Sequence, residues 1–124
     1  MNTENNLLYT KDHEWIKVDG DYGYIGITDH AQSELGDIIF VELPSIGDKF
    51  KSNDVFGTIE AVKTVADLYI PIDSEIVQIN DLVDSEPEKI NTDPYNDGWI
   101  VKVKILNKDN LNDLLSLDEY KKLI

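Results

Sequence analysis

Apolar residues along this chain recur mostly at period two, in short runs broken by turn residues, until Asn107, after which the spacing becomes helical. Glu14–Val18 and Tyr22–Ile27 are two β-rich runs joined by Asp19-Gly20-Asp21, a composition suited to a tight hairpin. Thr28 or Asp29 supplies an N-cap for a short helix over 29–35, and Gly36 supplies a left-handed stop after Leu35. Ile38–Val41, Val55–Ile59, Val65–Ile70, Glu75–Ile79 and Trp99–Ile105 predict further strands, so the middle of the chain reads as all β. Trp15, Tyr24, Phe40 and Trp99 read as core aromatics. Leu111, Leu114, Leu115, Tyr120 and Leu123 predict a helical tail over about 108–124, in two pieces, with Ser116 and Glu119 as a capping box. That tail packs on the β body or, alternatively, binds a partner.

The order of apolar run, turn and second strand in Ile38–Leu43 and Gly47–Phe50 returns in Leu68–Pro71 and Ile76–Asn80. Two interleaved β units of this kind make a flattened sandwich or barrel with position 63 at their junction. Any antiparallel β protein also repeats strand and turn, so the echo has a plainer explanation.

With 124 residues, 41% of them hydrophobic, the chain holds one domain with a real core. Twenty-five Asp and Glu against 11 Lys and Arg leave a net charge of −14, which excludes phosphate backbones and anionic membranes as partners and favours basic protein surfaces. The absence of cysteine removes disulfides, thiolate metal sites and cysteine nucleophiles, and fits a reducing compartment. Met1–Asn6 lacks the features of a secretory or transit segment, and no apolar run approaches membrane-spanning length, so the expected location is cytoplasmic.

Against that acidic background, Lys63 stands at the apex of a predicted hairpin, between Gly57-Thr58-Ile59 and Leu68-Tyr69-Ile70-Pro71. Such a lysine is a handle for modification or an ordinary solubilising charge. Enzymatic motifs are missing. His13-Glu14 does not begin a zinc-protease helix, because Lys17 stands where a second histidine is needed and the segment reads as a strand, so no metal site is expected. The chain also lacks a P-loop, a dinucleotide fingerprint and a nucleophile elbow, so a self-contained enzyme is unsupported.

Five ordered blocks carry a resemblance over essentially the whole length: His13-Glu14-Trp15, Gly26–Gln32, Leu35–Pro44, Glu60-Ala61-Val62-Lys63 and Asn91–Trp99. The chain resembles the H protein of the glycine cleavage system, a lipoyl carrier. Biotin carriers typically flank their lysine with methionines, where Val62 and Thr64 stand here. Lipoyl domains of 2-oxoacid dehydrogenases usually place Asp before the lysine and lack the His13-Glu14-Trp15 block and the helical tail. Two departures from the family pattern stand out: Ala61 where Ser is common, and Asp73-Ser74 where Ser-Gly is usual, so that Ser74 is strained by about 1 kcal/mol if the turn is left-handed there.

The resemblance implies a mainly β fold over 1–124, a barrel-sandwich hybrid of antiparallel strands with the lysine hairpin at one end. It implies lipoate in amide linkage to Lys63, installed by lipoate-attachment enzymes. The partners implied are glycine decarboxylase, aminomethyltransferase and dihydrolipoyl dehydrogenase. It also places Glu14 and Asp67, with His30 as a neighbour, near the cleft that receives the aminomethyl arm, where carboxylates would hold a cationic amine. The simpler alternative makes Asp67 a solvated hairpin residue and Glu14 a strand-edge charge. A second functional reading, a lipoyl relay or regulatory adaptor that hands lipoate to other complexes, uses the same Lys63.

Overall fold

The computed structural model describes residues 7–124, so the reading made on Met1–Asn6 lies outside the described residues. Among the described residues, nine strands form two antiparallel sheets. The larger contains β1 (Leu7–Tyr9), β2 (Glu14–Asp19), β3 (Tyr22–Ile27), β5 (Lys49–Phe50), β8 (Ser74–Ile79) and β9 (Val101–Ile105), in the order β1-β2-β3-β9-β8-β5. The smaller contains β4 (Ile38–Glu42), β6 (Val55–Ala61) and β7 (Val65–Tyr69), in the order β4-β6-β7. Neither sheet closes on itself. The sandwich expected from the residues is therefore present, with a main core between the layers and a second, smaller cluster of Leu7, Tyr9, Trp15 and Tyr120.

That core is built of side chains suited to a pleated surface. Ile16, Ile25, Ile76 and Val103 of the large sheet cluster with Val41, Ile59 and Leu68 of the small one. The strand echo has a spatial counterpart: β4 and β7 flank β6, while β5 and β8 pair with each other through Lys49 opposite Glu75 and Phe50 opposite Ser74. Each apolar-run and second-strand unit thus contributes one strand to each sheet.

The helix α1 (Asp29–Leu35) begins and ends where its caps require, with the Thr28 hydroxyl accepting from the Ala31 amide and Gly36 at φ 80°. The tail is also in two pieces, a 3₁₀ helix at Lys108–Asp113 and α4 (Leu117–Lys121), the latter opened by the Ser116–Glu119 capping box. Leu111 and Leu114 pack on the main core, and Tyr120 stacks on Tyr9 at 4.8 Å between ring centroids. The helix stops at Lys121, which leaves Leu123 exposed rather than in the packed stripe.

Several expectations need correction. The middle is not all β, because α2 (Asp81–Ser85) and α3 (Lys89–Thr92) interrupt it. Asn80 caps α2, and Val83 and Ile90 anchor the pair in the core, but helices of five and four residues are too short to show a period. Strand β1, of three residues, is too short for the same reason, whereas β5 (Lys49–Phe50) falls within the second strand expected at Gly47–Phe50. The last strand starts at Val101 rather than Trp99, whose amide is used in a turn onto the Asn96 carbonyl. Ser74 carries no left-handed strain: it is the buried first residue of β8, and its hydroxyl donates to the Ile72 carbonyl at 3.0 Å.

Phe40 is the largest departure. A bulge between Ile38 and Phe40 shifts the alternation of β4 by one position, so Ile38 and Val41 point inward while Ile39 and Phe40 both face out. Trp15 is buried, and Tyr24 and Trp99 are half-buried in edge-to-face contact at 5.3 Å.

Trp15 lies flat over Gly26, its cross-strand neighbour, and a Cβ at Gly26 would stand 2.7 Å from the indole. The replacement Gly26→Ala is expected to destabilise the fold by about 1–3 kcal/mol through overpacking. Urea unfolding measures it, and an unchanged midpoint would show that the indole can move aside freely.

Candidate functional site

Lys63 occupies the tip of the β6–β7 hairpin, in the exposed turn Val62-Lys63-Thr64. The turn is pinned at its base. The Ala61 amide donates to the Thr64 carbonyl at 2.8 Å and the Val62 amide to the Asp37 carbonyl at 3.0 Å. Asn91 holds the neighbouring segment: its Oδ1 accepts from the Ile38 amide, and its Nδ2 donates to the Gly36 carbonyl and to the Gln32 side chain, each at 2.9 Å. The lysine side chain is therefore displayed from a fixed backbone.

From this tip, β7 runs along the edge of the small sheet, where β6 is its only sheet partner among the described residues. Beside it opens a cavity of about 170 Å³. Ile27, Leu35, Ile59 and Leu68 give it apolar walls, and the acidic residues Asp12, Glu14, Glu34 and Asp67 border it, with no lysine or arginine in the lining. Glu14 and Asp67, which the sequence reading paired, are thus brought to one space. At about 3.3 Å per residue, Val65 to Tyr69 spans about 13 Å, so β7 forms a track leading from the lysine tip past Asp67 to the Glu14 end.

Glu14 is not the strand-edge charge of the simpler reading, for it is only 2% exposed. Its Oε1 accepts from the Thr10 hydroxyl at 2.8 Å and its Oε2 from the Tyr69 amide at 3.0 Å. Burial pushes its pKa up to about 7 despite both hydrogen bonds, which favour the charged form, and the nearby Asp12 charge pushes the same way as burial. A second cavity of about 300 Å³, lined by Thr10, Ser52, Pro71 and Leu114 among others, borders the other side of Glu14. Asp67, by contrast, is exposed on β7.

His30 does not line the arm-side cavity. Its Nε2 lies 3.8 Å from a Glu34 oxygen, and its ring is 4.9 Å from that of His13. His13, which the sequence offers only as part of the His13-Glu14-Trp15 block and not as a cleft residue, lines the cavity instead. It sits at φ 69°, just before β2, and its Nδ1 is 2.8 Å from the Tyr120 hydroxyl, which in turn is 2.7 Å from the Thr28 hydroxyl. Burial, then the His30 charge, lowers the His13 pKa. The hydrogen bonds between His13 and Tyr120 and between Tyr120 and Thr28 tie the cavity wall to the C-terminal helix and to the cap of α1. Left-handed backbone at a non-glycine residue has no reliable local signal, so only the fold reveals this role.

Chemically, the site combines a displayed amine with a small apolar recess, bordered by acidic residues, beside an edge strand. The apolar walls suit a hydrocarbon arm, and the carboxyls suit a cation at its end.

Comparison with known proteins gives a consistent result. The family model for the glycine cleavage H-protein matches residues 7–124. The glycine cleavage system H protein of Halothermothrix orenii is 50% identical over 120 residues, covering 97% of this chain and 94% of that protein. The protein of the same name from Chlorobium phaeobacteroides is 54% identical over 126 aligned positions, covering 100% of this chain and 98% of that protein. A crystal structure of a glycine cleavage system H protein from Mycobacterium marinum superposes with a TM-score of 0.88 at 36% identity, covering 95% of each chain.

The raised Glu14 pKa has a consequence for stability. The unfolded carboxyl titrates near 4.5 and the folded one near 7, so between those values the folded chain retains a proton that the unfolded chain has released. Stability contributed by this group therefore falls as pH rises through that window, by about 3 kcal/mol in all. Glu14→Gln removes the titration while keeping the shape. The variant is expected to gain on the native chain steadily from pH 4.5 to pH 7 and to level off above it, as read by urea unfolding across that range. A difference independent of pH would refute the assignment.

Proposed function

The chain belongs to the glycine cleavage H-protein family, as a lipoyl carrier protein of the glycine cleavage system, and from that premise we propose that Lys63 bears its lipoate in amide linkage. The observation that carries this reading is the pinned, exposed hairpin tip with its lysine pointing to solvent in an otherwise acidic segment. Lipoate, when bound, supplies a dithiolane that can take up an aminomethyl group together with two electrons and give both up again.

The chain's own residues do the holding. Lys63 provides the tether, and the backbone bonds at Ala61 and Val62 keep that tether clear of the core. Glycine decarboxylase, aminomethyltransferase and dihydrolipoyl dehydrogenase would then reach the same arm in turn, so tethering replaces diffusion of a free carrier. Ile27, Leu35, Ile59 and Leu68 would shield a docked arm from water, and Glu14 and Asp67 would hold its cationic amine. Glu14 carries the greater part of that hold, because its carboxyl is buried while Asp67 is screened by solvent. His30, outside the cavity, acts at most on Glu34 and His13. Once the arm is attached, no side chain of the chain itself is asked to make or break a bond during aminomethyl transfer, which makes it a carrier rather than an enzyme. Among the described residues, no helix is long and apolar enough to cross a membrane.

Protein from lipoate-replete cells is expected to carry one lipoyl adduct, on Lys63, by intact mass and peptide mapping. Lys63→Arg should keep the fold and lose all glycine–bicarbonate exchange with the decarboxylase, since a guanidinium does not form the same amide. An adduct on another lysine, or exchange retained in the variant, contradicts the reading.

A further expectation concerns the loaded arm. Glu14→Gln with Asp67→Asn should shorten the lifetime of the aminomethyl adduct about tenfold, the loss of one shielded charge-assisted hydrogen bond. Equal lifetimes at matched pH would reduce both carboxyls to structural charges.

A further inference from the structure

The outer face of the small sheet carries large apolar side chains beside Lys63. Phe40 of β4 and Val65 of β7 both stand opposite Glu60 of β6, which places the three in one row on the outward face. Ile39 joins them from the bulge and Val62 from the turn. The four are 53% (Ile39), 52% (Phe40), 68% (Val62) and 61% (Val65) exposed. Singly exposed apolar residues need no explanation, but four gathered about one hairpin tip do.

Their surroundings are acidic. The adjacent row contains Glu42, Thr58 and Asp67 in register, and Asp37 accepts the Val62 amide at the base of the turn. Across Asp37–Glu42 and Val55–Tyr69, Lys63 is the sole basic residue. A second copy of this chain would bring the same carboxylates and a charge of −14 against this face, so self-association is opposed. The complement is a surface with an apolar centre and a basic rim.

Reach decides which protein bears it. An enzyme acting on the far end of a finished arm can stand away from the hairpin. An enzyme that builds the arm must bring its reacting groups to the Lys63 amine itself and so must rest on the residues around the turn. We propose that Ile39, Phe40, Val62 and Val65 form the docking surface for the acyl-transferring enzyme that attaches lipoate to Lys63. In that step the Lys63 Nζ attacks the carbonyl of an activated lipoyl group, the C–N bond forms, the activating group leaves with its bonding pair, and the amine proton passes to solvent. The proposal rests on the assignment of Lys63 as the lipoyl site.

The test uses unmodified full-length chain, the double variant Phe40→Thr with Val65→Thr, and Leu106→Thr as a control at an exposed apolar position away from the hairpin. Threonine keeps the strand preference. Each chain is incubated with a lipoate–protein ligase, lipoate and ATP, and lipoylation is followed by intact mass. The double variant is expected to lose about tenfold in kcat/KM, carried by KM, as for loss of an interface anchor, while the control matches the native chain. Double variant driven to full lipoylation with excess ligase should support glycine–bicarbonate exchange to within about twofold of the native rate. Native-like lipoylation of the double variant overturns the proposal, and so does an equal loss of exchange, which would make the face a general interface. A native chain that takes no lipoyl group on Lys63 sinks the carrier reading as well, whereas native modification with an unaffected double variant sinks the docking surface alone.

Discussion

One buried carboxyl joins the two layers of this molecule. Glu14 begins β2 of the large sheet, yet its Oε2 takes the amide of Tyr69 on the edge of the small sheet, and its Oε1 takes the Thr10 hydroxyl. An edge strand presents unpaired amides, and burying one without an acceptor costs on the order of 1–3 kcal/mol. Glu14 satisfies that amide in place of a fourth strand. The cost is a carboxyl with no cation beside it, held in water-poor surroundings and poised near neutrality. The same feature suits it to receive a cation, so the seam between the sheets and the candidate arm site are one arrangement.

The rest of the site hangs on this seam. β7 runs from the Lys63 turn to the Glu14 contact, so fixing its far end also fixes the direction in which the hairpin projects. His13, in its left-handed conformation, turns its ring toward Tyr120 and so couples the cavity wall to the tail. The C-terminal segment is thereby part of the carrier body. Its stacking of Tyr120 on Tyr9 closes the large sheet's first strand against it.

A single bulge has comparable reach on the outer surface. Without it, Ile38 and Phe40 would share a face, and regular alternation would put one apolar set inside. With it, two successive apolar side chains emerge next to the lysine. Acidic neighbours keep that surface from pairing with its own kind, since like charge opposes contacts that the apolar strip alone would favour.

Local chemistry by itself determined much of this protein. The β2–β3 hairpin, the caps of α1 at Thr28 and Gly36, the capping box at Ser116, the two-piece tail and the placement of Lys63 at a turn all follow from side chains acting on backbone within a few residues. The ordered blocks from His13 to Trp99 pointed to the family and to Glu14 and Asp67 as neighbours. Period and spacing could not register the three- to five-residue elements β1, α2 and α3, because each is shorter than the window a pattern needs. Nor could they foresee the outward turn of Phe40, since a bulge depends on the strand opposite. The burial of Glu14 and the recruitment of His13 in place of His30 were decided only by the tertiary structure. Dielectric surroundings and partners distant in sequence, Tyr69 for one and Tyr120 for the other, exist only once the two sheets and the tail have come together.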